Sequence, residues 1–242
     1  MTKHARFDRR QFIRATATAL VVATVSDYAC GADSAVRKTK IGVIGSGNVG
    51  SALGRSWARA GHEVMFASRN IDHDRQLAKQ IGAGARAGSP TEAAAFGDVI
   101  LMAVPYRALA ELGKSLAPQL NGKVVIDACN PFPGRDGEIA NWAREKGAGL
   151  ASAELLPGTR IVRAFNAVGA ARMGTAHENP GEVGMPIAGD DKAAIETASR
   201  LIRDIGYEPV LIGGLEMGKH LMPGTAFAGE RTPEEIKKMR VE

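Results

Sequence analysis

From Thr39 onwards, short apolar runs alternate with stretches in which apolar residues recur at helical spacing. We interpret the short runs as strands and the periodic stretches as helices. The pattern predicts strands at 40–45, 62–68, 84–87, 98–105, 123–130, 160–166, 184–189 and 208–213, with helices at 48–60, 73–81, 107–118 and 190–205. This alternation predicts an α/β fold, a mainly parallel sheet doubly wound with helices on both faces. We expect residues 36–242 to form a single domain.

The first 35 residues follow a different pattern. Charged residues fill positions 3–14, an apolar run covers Ala15–Val25 and small residues follow, which is the order of a secretory signal. An apolar run of about 11 residues is too short to cross a bilayer core of ~30 Å. The stretch DRRQFIR, with Arg9 and Arg10, resembles the twin-arginine export motif. We expect residues 1–35 to be a twin-arginine signal peptide, read by that export machinery, and the mature protein to be periplasmic or otherwise exported, without a membrane span. A basic tail before a hydrophobic patch is the alternative.

Composition and charge limit the kinds of binding partner and metal site that we expect. The chain has 242 residues, 45% of them hydrophobic and 24% charged, as in ordinary globular proteins. The formal net charge is +5, but no basic run longer than three residues follows the leader, so we expect no nucleic-acid partner. Because Cys30 lies in the predicted leader, Cys129 has no partner for an internal disulfide in the mature chain. The five histidines are scattered, which predicts no metal site.

The stretch GSGNVG carries the strongest chemical signal. It follows the first predicted strand, opens the first predicted helix and places Gly45, Gly47 and Gly50 in G-x-G-x-x-G register. The first glycine permits a tight turn, the second lets the backbone approach a pyrophosphate, and the third allows close packing of helix and strand. The free N–H groups at the helix start favour the phosphates. The pattern predicts a Rossmann-type dinucleotide site, formed with the intervening residues Ser46, Asn48 and Val49.

The end of the second predicted strand indicates which dinucleotide binds. A site for NAD usually offers Asp or Glu there, whereas this chain reads ASRN, with Ser68 and Arg69. An arginine can form two charge-assisted hydrogen bonds with a ribose 2′-phosphate, and the serine can donate another. Arg75 or His73 of the next helix would add positive charge. We expect NADP(H) rather than NAD(H); a solvated arginine at a strand end is the alternative.

The chain from about residue 40 resembles the family of NADP oxidoreductases that depend on the deazaflavin coenzyme F420, in its bacterial branch. The stretches that carry the resemblance occur in the order of that family: IGVIGSGNVGSALG, GHEVMFASRN, VILMAVP, VVIDACNP, RIVRAFNAVG, MPIAGDD and GYEPVLIGGL. The same domain type is similar to the cytosolic domain of membrane ferric reductases and to the N-terminal half of enzymes like 6-phosphogluconate dehydrogenase. The resemblance implies an oxidoreductase and leaves the substrate open.

The resemblance also implies roles for residues at strand ends. Val104 and Pro105 would pass beside the nicotinamide ribose, and Asn130 and Pro131 would border the nicotinamide. The loop at Asn166 would line the side of the second substrate. All of these residues fall where an open α/β sheet binds ligands, at the carboxyl ends of predicted strands. The alternative for the two prolines is that they only end strands.

No residue is assigned as catalytic, because the chain shows no paired carboxylates, no Ser-His-Asp order and no obvious catalytic lysine. Tyr106 and His220 are candidate proton donors for which structural roles are favoured, and we interpret Cys129 as a buried small residue. Hydride transfer to a flavin-like ring relies largely on positioning, which fits this absence. We expect a small-molecule acceptor, coenzyme F420 or a flavin, in a site that is shallow, shared in a homodimer or missing. The alternative function is a carrier or sensor that binds NADP(H) without turnover.

Overall fold

The computed structural model describes residues 38–82 and 84–240. The predicted signal peptide, residues 1–35, lies outside these residues. The strands are β1 Lys40–Ile44, β2 Glu63–Ala67, β3 Ala85–Ala87, β4 Val99–Met102, β5 Val124–Asp127, β6 Arg160–Arg163, β7 Gly184–Gly189 and β8 Glu208–Gly213. The helices are α1 Asn48–Arg59, α2 Ile71–Ile81, α3 Pro90–Phe96, α4 Leu109–Ser115, α5 Ala117–Leu120, α6 Pro133–Asp136, α7 Glu138–Lys146, α8 Ala148–Leu155, α9 Lys192–Arg203 and α10 Pro233–Lys238. Four 3₁₀ helices complete this part of the chain: Tyr106–Ala108, Ala170–Arg172, Ala176–Glu178 and Leu215–Leu221.

The strands form one 8-stranded sheet in the order β3-β2-β1-β4-β5-β6-β7-β8. Alternate residues of β4 belong to two different hydrophobic clusters. Val99 and Leu101 pack in the cluster that includes Trp57 of α1 and Leu201 of α9. Ile100 and Met102 pack in the cluster that includes Leu109 of α4 and Ala151 of α8. Because successive strand residues point to opposite faces, helices cover both sides of the sheet. The predicted doubly wound α/β fold is confirmed.

The last two strands run in the opposite direction to the first six. β6 and β7 are antiparallel, with Val162 opposite Gly189 and Arg163 opposite Ala188, whereas every other neighbouring pair is parallel. The connection between them contains two 3₁₀ turns and no longer helix, whereas a parallel return usually needs a helical crossover. The starts of β7 and β8 therefore lie at the edge where β1 to β6 end.

The sequence pattern predicted the positions of the strands more accurately than their lengths. The strands predicted at 98–105, 123–130 and 160–166 end at Met102, Asp127 and Arg163, so the residues that follow are loops at the carboxyl edge. The pattern missed α3, α6 to α8 and α10, although Ser89 and Glu92 form a capping box at the start of α3. No helix in the described part of the chain is long and apolar enough to span a membrane.

Candidate functional site

Two glycines of the loop between β1 and α1 are required by packing. Gly45 has a φ of 100°, and a Cβ there would overlap the carbonyl oxygen of Ala103 after β4. A Cβ on Gly50 would overlap the carbonyl oxygen of Gly45. The loop therefore packs against both the neighbouring strand and its own helix, as the motif predicts.

The middle glycine differs, because a Cβ on Gly47 would meet no atom within 4 Å. Its φ of −68° is open to other residues, so neither packing nor conformation explains a glycine there. Gly47 is the N-cap of α1 and supplies no side-chain cap, and the first turn, which starts with Asn48 and Val49, holds no acidic residue. Free N–H groups and the positive end of the helix dipole therefore face open space, as an anion site requires.

The end of β2 lies beside this loop. Arg69 is exposed and forms no hydrogen bond or ion pair with another described residue. The Ser68 hydroxyl lies 3.0 and 2.9 Å from the two carboxylate oxygens of Asp74, which is fully buried. The buried Ser46 hydroxyl of the glycine loop donates to the same carboxylate. The structure thus joins Ser46 and Ser68 through an acidic residue that the sequence prediction did not include.

The other two cations predicted for the ribose end are placed differently. Arg75 is exposed and its guanidinium lies 3.0 Å from the carboxylate of Asp72, one turn earlier in α2. The ring Nε2 of His73 lies 3.3 Å from the carbonyl oxygen of Ser46 and therefore contacts the glycine loop. Arg69 is the cation of this group that has no partner among the described residues.

After β4, Val104 and Pro105 are half-buried, and the Val104 side chain lies against Gly45 of the glycine loop. Tyr106, which follows them, is fully buried and its hydroxyl contacts the Ala148 carbonyl at 3.2 Å and the Ser152 hydroxyl at 3.1 Å. Burial, followed by the charge of Asp127, raises the pKa of Tyr106 far above its usual value. This side chain is held in the interior, which fits the structural role favoured from the sequence.

The ends of β5 and β6 carry a set of interior polar residues that we call the buried network: Asp127, Cys129, Asn130, Arg163 and Asn166. Arg163 and Asp127 are fully buried and form an ion pair of 2.6 Å between Nη1 and Oδ2. Arg163 also donates to the Cys129 carbonyl at 3.1 Å, and the Cys129 N–H donates to Asp127 at 2.8 Å. Burial raises the pKa of the Cys129 thiol well above its usual value. The buried position predicted for Cys129 is confirmed.

In each of the two asparagines of the buried network, only the Nδ2 end of the side-chain amide forms a hydrogen bond. Asn130 Nδ2 donates to the Asn166 carbonyl at 2.9 Å, and Asn166 Nδ2 donates to the Cys129 carbonyl at 3.2 Å. Because each Nδ2 faces a carbonyl oxygen, the amide orientations are fixed, and both Oδ1 atoms are buried without a hydrogen-bond partner. Pro131, next in the chain, is buried. Phe165 precedes this corner with a φ of 67° and packs edge-to-face between Trp57 and Tyr207.

Two further features are the ring of His220 and a cavity at the starts of β7 and β8. His220 is in the 3₁₀ helix Leu215–Leu221, its Nε2 is buried without a partner, and burial, followed by the charge of Lys219, lowers its pKa. The cavity, of about 510 Å³, is lined by residues such as Arg172, Tyr207 and Glu235 and by none of the predicted site residues. We therefore place the candidate site by its chemistry, at the carboxyl ends of β1, β2, β4, β5 and β6.

Comparisons with known proteins identify the family of the chain. The family model described as NADP oxidoreductase, coenzyme F420-dependent, matches residues 40–131, which include the glycine loop, Arg69 and Asn130. The chain is 31% identical over 193 residues to the F420-dependent NADP reductase of Methanothermobacter thermautotrophicus, covering 73% of this chain and 82% of that protein.

Two further relatives extend the comparison. The chain is 30% identical over 182 residues to the metalloreductase STEAP3 of Rattus norvegicus, covering 75% of this chain and 35% of that protein. This chain therefore spans about a third of the length of the metalloreductase. The solved structure of a hypothetical protein from Sinorhizobium meliloti superposes with a TM-score of 0.69 at 25% identity, covering 81% of this chain and 95% of the other.

Proposed function

The chain belongs to the family of NADP oxidoreductases that depend on coenzyme F420, and on that premise we propose that it transfers hydride between NADP(H) and a deazaflavin or another small acceptor. The observation that carries the proposal is the open face of Gly47. A glycine that neither its packing nor its backbone conformation requires is explained by a ligand that approaches the main chain. Arg69, exposed at the adjacent strand end and without a partner in the part of the chain that the structure describes, suits the 2′-phosphate that distinguishes NADP from NAD.

Each part of the site has a proposed role toward the dinucleotide. The glycine loop, Gly45 to Gly50, would hold the pyrophosphate, and Arg69 with Ser68 would border the 2′-phosphate. Val104 and Pro105 would line the nicotinamide ribose, whereas Asn130 and Pro131 would border the ring. When bound, the nicotinamide supplies or accepts the hydride.

The buried network would fix the position of the acceptor side. Asp127 and Arg163 hold the Cys129 main chain between them, and both asparagines are tied to that segment. Asn130 and Asn166 therefore have defined positions before any ligand arrives. Because the reaction between two rings depends on their distance and orientation, a fixed wall of this kind contributes by positioning. Cys129 and Tyr106 are buried and engaged with the main chain, so we assign neither to proton transfer.

The test compares two equivalent substitutions. Gly47→Ala places a methyl group in the open space, and we expect it to leave stability unchanged and to weaken NADPH binding about tenfold or more. Gly174→Ala is the matched control, because a Cβ there also meets no atom within 4 Å and its backbone is not left-handed. Binding is measured by NADPH fluorescence, and turnover by anaerobic oxidation of NADPH with coenzyme F420. Equal affinities in both variants would contradict the proposed site, and tight binding without turnover on any acceptor would favour the carrier or sensor function.

We also propose that the protein is exported with NADP(H) already bound, as the twin-arginine motif suggests. That pathway carries folded proteins, and a tightly bound nucleotide stabilises the folded form. Replacement of Arg9 and Arg10 by lysine is expected to retain the protein in the cytoplasm, which cell fractionation measures. Unchanged export of that variant would contradict a twin-arginine signal.

A further inference from the structure

Asp74 is a buried acidic residue at the ribose end of the site. It lies in the first turn of α2, is fully buried, and forms no ion pair with another described residue. Its hydrogen-bond donors are two hydroxyls from different loops, Ser46 of the glycine loop and Ser68 of the β2 end. A buried carboxylate that is matched only by hydroxyls is costly for stability, which calls for an explanation in terms of the site.

The geometry decides where the hydroxyl protons point. Each serine has a single proton to donate, and a carboxylate only accepts. The proton of Ser68 is directed to Asp74 at 2.9 Å, with the Asn70 carbonyl at 3.3 Å as the other acceptor within reach. The Ser68 oxygen in turn accepts from the Asn70 N–H at 3.1 Å. Ser68 therefore offers a lone pair to a ligand at the ribose, which suits a free 2′-hydroxyl better than a phosphate.

We propose that Asp74 is a specificity-determining residue that limits the preference for NADP(H). This inference rests on the proposed function: Arg69 attracts the 2′-phosphate, whereas the Asp74 carboxylate behind Ser68 repels it and withholds the serine proton. The same carboxylate either does not affect or favours the binding of NAD(H), which has a 2′-hydroxyl at this position. The ratio of NADP(H) affinity to NAD(H) affinity then depends on two opposing effects: attraction of the 2′-phosphate by the exposed Arg69 and its repulsion by the buried Asp74.

The main test is Asp74→Asn in the full-length protein. The amide removes the charge, accepts from one hydroxyl and donates to the other, so that a serine proton is released toward the ligand. We expect NADPH to bind about three- to tenfold more tightly and NADH to change by less than about twofold, as expected when a repelling charge is removed through a high effective dielectric. Asp98→Asn, an exposed residue at the opposite edge just before β4, is the charge-matched control and is expected to change neither affinity. Fluorescence titration with both nucleotides gives the ratio, which a purely structural role would not move.

A second variant keeps the inference testable if Asp74→Asn does not fold. Ser68→Ala is expected to leave NADPH affinity within about twofold, because the hydroxyl offers the phosphate no proton. A loss of about tenfold in NADPH alone would show that Ser68 donates to the phosphate and would overturn the inference. An equal change for both nucleotides in Asp74→Asn, or no change, overturns it too while wild type still binds NADPH. A wild-type protein that binds neither nucleotide removes the proposed function as well.

Discussion

The two halves of the carboxyl edge are built on opposite plans. At β1 and β2, Gly47 borders open space and Arg69 is exposed, without a partner among the described residues. At β5 and β6 the polar groups face one another, and Arg163 and Asp127 are fully enclosed. The first half is available to a ligand, whereas the second half forms a rigid wall. In this fold, exposure rather than charge alone distinguishes a group that binds a ligand from a group that holds other residues in position.

The largest effect is expected on the unfolding free energy when the ion pair between Arg163 and Asp127 is removed. Arg163→Met leaves Asp127 buried without a cation, and removal of one partner from a buried pair costs about 3–5 kcal/mol of unfolding free energy. Urea unfolding measures the loss. The double variant Arg163→Met with Asp127→Leu is expected to recover part of it, because an apolar pair leaves no buried charge but leaves the Cys129 N–H without its acceptor. A single variant that loses less than about 1 kcal/mol would show that the two halves do not differ in this way.

A smaller effect, on binding only, is expected from the open half. Arg69→Ala removes a charge-assisted contact worth about 1.5–3 kcal/mol to the 2′-phosphate, so NADPH should bind roughly ten- to a hundredfold more weakly. NADH affinity and unfolding free energy should hardly change, since the side chain is exposed and pairs with no residue in 38–82 or 84–240. Fluorescence titration of both nucleotides checks this. If both affinities fall equally, Arg69 does not read the phosphate.

The smallest effect is expected where His62, before β2, joins Asp204, after α9. The Thr39 N–H donates to His62 Nδ1 at 3.2 Å, and Nε2 lies 3.1 Å from Asp204, so the neutral ring fills both contacts. Burial lowers the pKa of His62 below its usual 6.5, while Asp204 raises it and Arg200 lowers it. The unfolded chain then takes up the proton more readily, so stability falls as the pH drops below about 6.5.

The expected change is a loss of stability between pH 7 and pH 5. Urea unfolding at pH 7 and 5 measures it, and His62→Gln should show a smaller difference between the two pH values. His220, whose pKa is also lowered, is retained in that variant and so cancels in the comparison. If His62→Gln shows the same pH dependence of stability as the wild type, a group other than His62 causes that dependence.

The site residues at the ends of β1 and β2 could be predicted from the sequence better than the contacts at the ends of β5 and β6. The glycine spacing and ASRN are local signals, and the apolar strands β4 and β5 were visible as runs. Asp74 was missed because it lies among charged residues, although it shares a helix face with the buried Leu77 and Ala78, three and four positions later. The ion pair of Asp127 and Arg163 joins residues far apart in the chain, and only the register of β5 and β6 places them opposite each other. The reversal of β7 likewise depends on a connection without a helix, which strand patterns do not encode.

Phe165 shows how the corner before Asn166 constrains substitution over evolutionary time. Its left-handed backbone costs about 1–3 kcal/mol in a residue other than glycine. Glycine would relieve that cost, but would also remove a ring that packs between Trp57 and Tyr207, and loss of a buried phenylalanine costs about 3–5 kcal/mol. The strained residue is therefore the more stable choice, and a lineage that drifts away from it must cross a less stable intermediate. This corner is therefore expected to change slowly.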